Sequence, residues 1–275
     1  MKFNSIINFS ASVMMALARP QALRNGTMQG SLDVSNGTTT SMNDIPASAL
    51  PGKNVTKFGM IVYPGFEPFD VFGPLNALQT LSRMEKISLS ILSETLSPVS
   101  SVVPGGNPQN SSFGGIRILP TDTYATAPEV EALLVPGGYG NRDPAIIRTT
   151  VDFIKAVYPS VKYLITVCTG SLVAAEAGVL DGKKATTNKL QMLNGWEEVV
   201  AKGPKVDWQR DARWVVDGNI WTSSGVSAGI DVTLAWIEAT RGNGTAEQVA
   251  EIMEYTRHLD KDKDPFAVQL GDKTA

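Results

Sequence analysis

Short apolar segments alternate with helical segments in the second half of this chain, and this alternation restricts the fold more than any other feature. Ala132–Val135 is an apolar run closed by a Pro-Gly-Gly turn, and an amphipathic helix is predicted from Ala145 to Tyr158. Val161–Val167 is the most continuously apolar run, and a helix of small residues follows at Ser171–Ala177. Because parallel strands require such crossovers, the pattern predicts an α/β domain whose mostly parallel sheet is covered on both faces.

The other predicted elements extend the same pattern on both sides of this region. A Gly/Pro/Asn-rich stretch, Pro104–Gly115, indicates a hairpin on a sheet edge, and Asp217-Gly218-Asn219 indicates a second hairpin. The remaining predicted strands are Lys57–Tyr63, Ile87–Leu92, Arg213–Val216 and Ile220–Ser223, and the remaining predicted helices are Pro74–Met84, Met192–Ala201, Ile230–Thr240 and Ala246–Leu259.

The N-terminal region has the composition of a processed leader. Lys2 precedes the mostly apolar run Ile6–Leu17, and Ala16-Leu17-Ala18 offers a small-x-small cleavage site, so residues 1–18 are predicted to be a signal peptide. A disordered or mitochondrial-type leader is the alternative. Residues 19–55 are rich in Gly, Ser, Thr and Asn and predict a flexible lead-in, residues 56–268 form the predicted domain, and residues 269–275 are a tail.

Acceptor patterns for N-glycosylation support passage through a secretory pathway. Such a protein is expected to be secreted and glycosylated; otherwise it is expected in the cytoplasm. The patterns begin at Asn25, Asn36, Asn54, Asn110 and Asn243.

Charge and hydropathy restrict the partners. The 275 residues carry a net charge of -3 without a long basic run, so we expect no nucleic-acid partner. Beyond the leader, no segment approaches the roughly 18 consecutive apolar residues of a membrane span, so no membrane partner is expected.

Cys168 is the only cysteine and the strongest candidate for a catalytic residue. It ends the most apolar predicted strand and leads into a helix, where unpaired N–H groups and the helix dipole are expected to lower the pKa of its thiol. The alternative is a small buried apolar residue, which most free cysteines are. The strand, nucleophile and helix order is similar to the strained elbow of hydrolases.

Two further segments are predicted to lie beside Cys168, since sites in parallel sheets form beyond the carboxyl ends of the strands. Gly137 and Gly138 end the neighbouring strand and expose backbone N–H groups suited to a developing anion or a bound substrate, although a tight turn is the simpler interpretation. Asp70 lies where the first helix begins and could orient a neighbour or move its proton, or cap that helix.

Histidine contributes little to this site. The single histidine, His258, lies among charged residues near the predicted end of the last helix, so a solvated position is expected. A cysteine–histidine pair and a metal site are therefore not expected, and any base must be a carboxylate or water.

Five motifs occur in order along the chain: Tyr63–Pro74, Leu134–Gly140, Val167–Ser171, Ala177–Thr187 and Thr222–Asp231. With these motifs the chain resembles, from about Lys57 to Val268, the ThiJ/PfpI superfamily, which has a class I glutamine amidotransferase-like fold. The resemblance implies a flavodoxin-like three-layer sandwich with a cysteine elbow, a homodimer, and no metal or organic cofactor.

Within the superfamily the chain is most similar to the isonitrile hydratase branch, because Thr169 rather than histidine follows the cysteine. The resemblance implies a hydro-lyase that converts a small isonitrile into an N-substituted formamide, with Asp70, Cys168 and Thr169 as catalytic residues. Asn188 stands where relatives usually carry histidine, so substrate specificity or even the reaction could differ. The alternatives are a cofactor-free glyoxalase or deglycase acting on α-oxoaldehydes and a non-catalytic, redox-responsive secreted protein.

Overall fold

A computed structural model describes residue 52, residues 55–106 and residues 114–267. The predicted signal peptide, nearly all of the predicted lead-in and the predicted tail lie outside the described residues, as does the middle of the first hairpin loop. Of the glycosylation patterns, only Asn243 is described, and its side chain is exposed. Secretion, glycosylation and cleavage stay predictions.

The described chain contains eleven strands and seven α-helices. The strands are β1 (Lys57–Ile61), β2 (Ser88–Ser93), β3 (Val99–Ser100), β4 (Arg117–Ile118), β5 (Asp122–Thr123), β6 (Ala132–Val135), β7 (Tyr163–Thr166), β8 (Lys184–Ala185), β9 (Asp207–Trp208), β10 (Trp214–Asp217) and β11 (Ile220–Ser223). The helices are α1 (Pro68–Leu81), α2 (Pro144–Val157), α3 (Gly170–Glu176), α4 (Lys189–Asn194), α5 (Trp196–Lys202), α6 (Ala228–Arg241) and α7 (Asn243–Ile252).

Seven strands form the central sheet in the order β10-β11-β7-β6-β1-β2-β5. All neighbours are parallel except β10 and β11, the predicted hairpin across Gly218, whose φ of 63° suits glycine in a tight turn. The sheet is therefore mostly parallel, as predicted. It places the carboxyl ends of β1, β6, β7 and β11 side by side.

Alternate side chains of the buried strands supply two separate cores. Met60 packs on one face with residues of α1, α6 and α7, whereas its neighbour Ile61 packs on the other face with α2 and α3. This alternation follows from the period of two in a strand. The result is the predicted three-layer α/β sandwich, which holds the strand ends rigidly beneath the site.

Several predicted elements differ in extent from those observed. The helix predicted over Met192–Ala201 is two helices, α4 and α5, because Gly195 ends the first at a φ of -138°. Helix α1 begins at Pro68, earlier than predicted, since proline is favoured in a first turn. The first hairpin forms, but β3 and β4 make a separate two-stranded sheet rather than an edge of the central one.

The last helix ends at Ile252, not at Leu259 as predicted. The chain leaves it through Glu254 at a φ of 50°, and the Tyr255 hydroxyl and the His258 backbone N–H then both donate to Asp231 Oδ1 at 3.0 Å. Asp231 is buried and paired with Arg213 at 2.7 Å. Satisfying a buried carboxylate outweighs continuing an exposed helix. His258 itself is exposed, as expected.

None of the helices in the described residues combines the length and apolar character needed to cross a membrane.

Candidate active site

The site lies at the carboxyl edge of the sheet, where the loops after β1, β6, β7 and β11 meet. Cys168 follows β7, and its backbone N–H donates to the carbonyl of Ser224 after β11 at 3.1 Å. Cys168 has a φ of 57°, a conformation that costs a non-glycine residue about 1–2 kcal/mol. The predicted elbow is therefore present and strained.

Hydrogen bonds from two other segments hold the elbow in place. The Cys168 carbonyl accepts from the hydroxyl of Ser171 at 3.1 Å and from the hydroxyl of Thr187 at 3.0 Å. Thr187 belongs to the loop after β8, so the strained residue is clamped by an element distant in sequence. This clamp was not predicted, because nothing in the sequence indicates where that loop packs.

Cys168 is 7% exposed, and burial raises the pKa of its thiol well above the ordinary value, with the negative charge of Asp70 adding to the rise. Hydrogen bonds from the Thr169 backbone and the Asn188 side chain act in the opposite direction. The prediction that the helix lowers the pKa of this thiol is thus wrong in direction. Removing the thiolate from water costs more free energy than the seven-residue helix α3 contributes by stabilising its charge.

Asn188 contacts the nucleophile directly. Its Nδ2 donates to Cys168 Sγ at 3.2 Å, while its Oδ1 caps α4 by accepting from the Gln191 backbone N–H at 2.9 Å. The cap fixes which end of the amide faces the sulfur, so the donor is oriented before any substrate binds. The predicted substrate-binding residue therefore also solvates the thiolate.

Asp70 is fully buried and lies in the first turn of α1. Its Oδ2 accepts from the backbone N–H of Gly137 at 2.9 Å, which ties α1 to the end of β6, and its Oδ1 has no partner that satisfies hydrogen-bond geometry. Burial raises the pKa of this carboxyl well above its ordinary value, although the Gly137 and Cys168 contacts lower it in part. Burial therefore favours the protonated form of Asp70, whose carboxyl interacts with the Cys168 thiol.

The two predicted amide donors bind the side chains of two predicted catalytic residues in this structure. The Gly137 N–H donates to Asp70, and the Gly138 N–H donates to Thr169 Oγ1 at 3.2 Å. A Cβ at Gly137 would lie 2.6 Å from Thr169 Oγ1 and 3.0 Å from Asp70 Oδ2, which explains why glycine is needed there. Gly138 lines the cavity above Cys168, so its role at a substrate stays a prediction.

Thr169 is oriented by acceptor bonds to its side chain. Its Oγ1 accepts from the Gly138 N–H and from Asn141 Nδ2 at 2.8 Å, and Asn141 also donates to the Thr169 carbonyl at 2.9 Å. A hydroxyl oxygen has two acceptor positions, and both are used. The hydroxyl proton is therefore the group that Thr169 can offer to a molecule in the cavity.

An open cavity of about 410 Å³ leads to Cys168, Thr169 and Asn188. Its lining also includes Glu67 and Arg142, two charged residues that were not predicted. Both lie in turns after predicted strands, and turn position was the only available signal. The volume suits a small molecule. Among the described residues, no group of three or more His, Cys, Asp or Glu side chains is arranged to hold a metal ion.

Residues 56–239 match the DJ-1/PfpI family. This chain belongs to that family. Across 199 residues it is 31% identical to the isonitrile hydratase of Pseudomonas putida, an alignment that covers 72% of this chain and 78% of the hydratase. A ThiJ/PfpI family protein from Pseudomonas syringae has a similar structure, with a TM-score of 0.59 at 27% identity over 82% of this chain and 84% of the other.

The DJ-1/PfpI family also includes relatives with other activities. The HTH-type transcriptional regulator GbdR of Pseudomonas aeruginosa is 30% identical over 163 residues, which cover 57% of this chain and 42% of the regulator. A deglycase of Pyrococcus abyssi is 34% identical over 101 residues, which cover 36% of this chain and 54% of the deglycase. Membership in the DJ-1/PfpI family therefore does not by itself identify the reaction.

Replacing Gly225 with alanine is expected to remove the hydrogen bond that stabilises the Cys168 thiolate. The substitution does this without changing the identity of any predicted site residue. A Cβ at Gly225 would lie 2.1 Å from Asn188 Nδ2, so the amide must shift from the position in which it donates to Cys168 Sγ. Losing a hydrogen bond to a charged group should slow alkylation of Cys168 by iodoacetamide at neutral pH about tenfold. Gly244→Ala, where the added Cβ meets open space, is the matched control. Equal alkylation rates in the two variants would show that Asn188 does not stabilise the thiolate.

Proposed function

We propose that this protein adds water to an isonitrile to give an N-substituted formamide, with Cys168 as the nucleophile. The observation that carries the proposal is the fully buried Asp70 carboxyl, held by the Gly137 N–H and interacting with the Cys168 thiol. Burial raises the pKa of this carboxyl, which favours its acid form. An isonitrile carbon bears a lone pair and must gain a proton as well as a nucleophile. A site that pairs an acid with a thiol meets both requirements.

The first step joins sulfur to the terminal carbon of the isonitrile. The Cys168 sulfur attacks that carbon while Asp70 gives its proton to the same carbon, and the proton from the thiol restores the Asp70 carboxyl. The product is a thioimidate in which the whole isonitrile is attached to Cys168. Asn188 Nδ2, 3.2 Å from Sγ, stabilises negative charge on the sulfur as its proton leaves.

The second step hydrolyses the thioimidate. Water held by the free Thr169 hydroxyl proton adds to the carbon, and its two protons go to the substrate nitrogen and to sulfur as the carbon–sulfur bond breaks. The electron pair of that bond returns to sulfur, which regenerates the thiol. One isonitrile and one water give one formamide, so no oxidant or cofactor is required.

Incubation with cyclohexyl and aryl isonitriles tests the proposal. Purified protein is expected to produce the matching formamide, detected by chromatography and mass spectrometry. The absence of turnover across the panel by folded protein would refute the hydratase function.

A second candidate, a glyoxalase or deglycase acting on α-oxoaldehydes, is favoured by the similarity to the Pyrococcus abyssi deglycase. The same thiol would add to an aldehyde carbon, and Thr169 would donate to its oxygen. Methylglyoxal consumption without isonitrile hydration would favour this candidate. A non-catalytic redox role, in which Cys168 is oxidised and catalyses nothing, is favoured by no specific contact among the described residues.

The homodimer implied by the family resemblance stays a prediction.

A further inference from the structure

A preorganised guanidinium lines the cavity that leads to Cys168. Arg142 ends a short 3₁₀ turn, Tyr139–Arg142, directly after the glycines that follow β6. Its Nη2 donates to Gln191 Oε1 at 2.8 Å, and its Cζ lies 4.7 Å from the centre of the Tyr139 ring. These two contacts, a hydrogen bond and a cation–π contact, orient the guanidinium of the exposed Arg142.

The positive charge of Arg142 is not neutralised by a carboxylate within the described part of the chain. No Asp or Glu oxygen there forms an ion pair with its guanidinium within 4.0 Å, whereas Arg213, Arg241 and Arg257 each pair with at least one carboxylate. The partner that Arg142 does have, Gln191, is a neutral amide that lines the same cavity. The cavity thus contains an oriented cation that retains capacity to bind an anion.

The cavity also contains a negative charge, so its two charged residues have opposite signs. Glu67 also lines it, and the charge of Glu67 raises the pKa of both Cys168 and Asp70. Negative charge close to the sulfur is therefore disfavoured, while negative charge beside Arg142 is favoured. A substrate that satisfies both conditions has a neutral reacting group and an anionic group at its far end.

We propose that this site selects small substrates that carry a carboxylate remote from the reacting carbon, and that Arg142 binds that carboxylate. For the hydratase the substrate class is a carboxylate-bearing isonitrile, a statement that rests on the proposed function. The cavity of about 410 Å³ holds a molecule of that size. A guanidinium is suited to the task because its planar donors match a carboxylate.

The test compares two alkylating agents of the same shape, 4-(bromomethyl)benzoate and 4-(bromomethyl)benzamide. Both react with the single thiol at Cys168, so the test does not depend on isonitrile turnover. The ratio of the carboxylate rate to the amide rate is measured by intact mass. In Arg142→Gln this ratio should fall about tenfold relative to the unmodified protein, while the amide rate stays within twofold.

Two further variants are expected to change the carboxylate-to-amide rate ratio differently from Arg142→Gln. Arg148→Gln removes an exposed arginine on α2 that does not line the cavity, so its ratio should match the unmodified protein. Glu67→Gln removes the opposing charge, so its ratio should rise about threefold. An equal carboxylate-to-amide ratio in the unmodified protein, Arg142→Gln and Arg148→Gln would overturn the inference.

Isonitrile substrates then separate this inference from the proposed function. 4-Isocyanobenzoate should be hydrated with a KM about tenfold lower than that of 4-isocyanobenzamide, and Arg142→Gln should remove the difference. If neither is hydrated but the alkylation preference depends on Arg142, the proposed function fails and the anion site stands. If both are hydrated with equal KM, the hydratase stands and the anion site fails.

Discussion

Cys168→Ala should produce no detectable formamide from any isonitrile, a loss of about 10⁴-fold or more in kcat. The reason is that the carbon–sulfur bond is the first bond formed, and no other described residue offers a thiol at the carboxyl edge of the sheet. The rate is measured by formamide production at saturating isonitrile. Activity within tenfold of the unmodified protein would mean that another group attacks the substrate.

Cys168→Gly provides the stability control for this variant. At a φ of 57° glycine avoids the strain that alanine retains, which offsets its greater entropy in the unfolded state. Its free energy of unfolding in urea should equal or exceed that of Cys168→Ala by up to about 1 kcal/mol. Both variants should be inactive while still unfolding cooperatively in urea. Loss of activity is thereby distinguished from loss of the fold. A glycine variant clearly less stable than the alanine variant would argue against strain at the elbow.

Asp70→Asn is expected to lower kcat about 10²- to 10³-fold while keeping the fold intact. The asparagine side chain has the same shape and can still accept from the Gly137 N–H, but it cannot deliver a proton to the substrate carbon. Asp152→Asn, an exposed position on α2, is the matched control and should retain full activity. Unchanged kcat in Asp70→Asn would remove Asp70 from the mechanism.

Asp70→Asn should lower the activity but raise the stability of the protein. The gain in the free energy of unfolding should depend on pH. The pKa of Asp70 is raised in the folded state, so its favourable contribution is complete below the ordinary value of 3.8 and is lost as pH rises toward the folded pKa. Asparagine does not titrate. The gain in free energy of unfolding of Asp70→Asn over the unmodified protein should therefore grow as pH rises above 3.8 and level off above the folded pKa, with a limiting slope of about 1.4 kcal/mol per pH unit. A gain that is constant with pH would mean that buried Asp70 is already ionised.

The sheet and the position of the nucleophile followed from local sequence patterns. The apolar run before Cys168 and the glycine turn after Val135 each predict a strand end, and parallel strands bring their carboxyl ends together. The early end of α7 was not predictable in this way, because it depends on the buried carboxylate of Asp231 rather than on a local helix stop. Gly195, by contrast, is a helix stop that the sequence does show. The helical spacing of the apolar residues on both sides of it led to the prediction of one continuous helix.

The chemistry of the site depended on contacts between distant segments. Asp70 and Gly137 are 67 residues apart, and their hydrogen bond is what places the acid beside the thiol. The thiol pKa was predicted in the wrong direction because a sequence shows the helix after Cys168 but not the depth of its burial. Arg142 and Glu67 carry no local motif, so their shared cavity becomes visible only in the folded chain.

The covalent intermediate is the most direct test of the account. Protein mixed with excess cyclohexyl isonitrile, quenched within a turnover and analysed by intact and peptide mass spectrometry should carry an adduct on Cys168 equal to the mass of the whole isonitrile. The adduct should accumulate to a higher level if hydrolysis is slowed by Thr169→Val, and should be absent in Cys168→Ala. Steady formamide production with no adduct at Cys168, continuing in Cys168→Ala, would contradict the account.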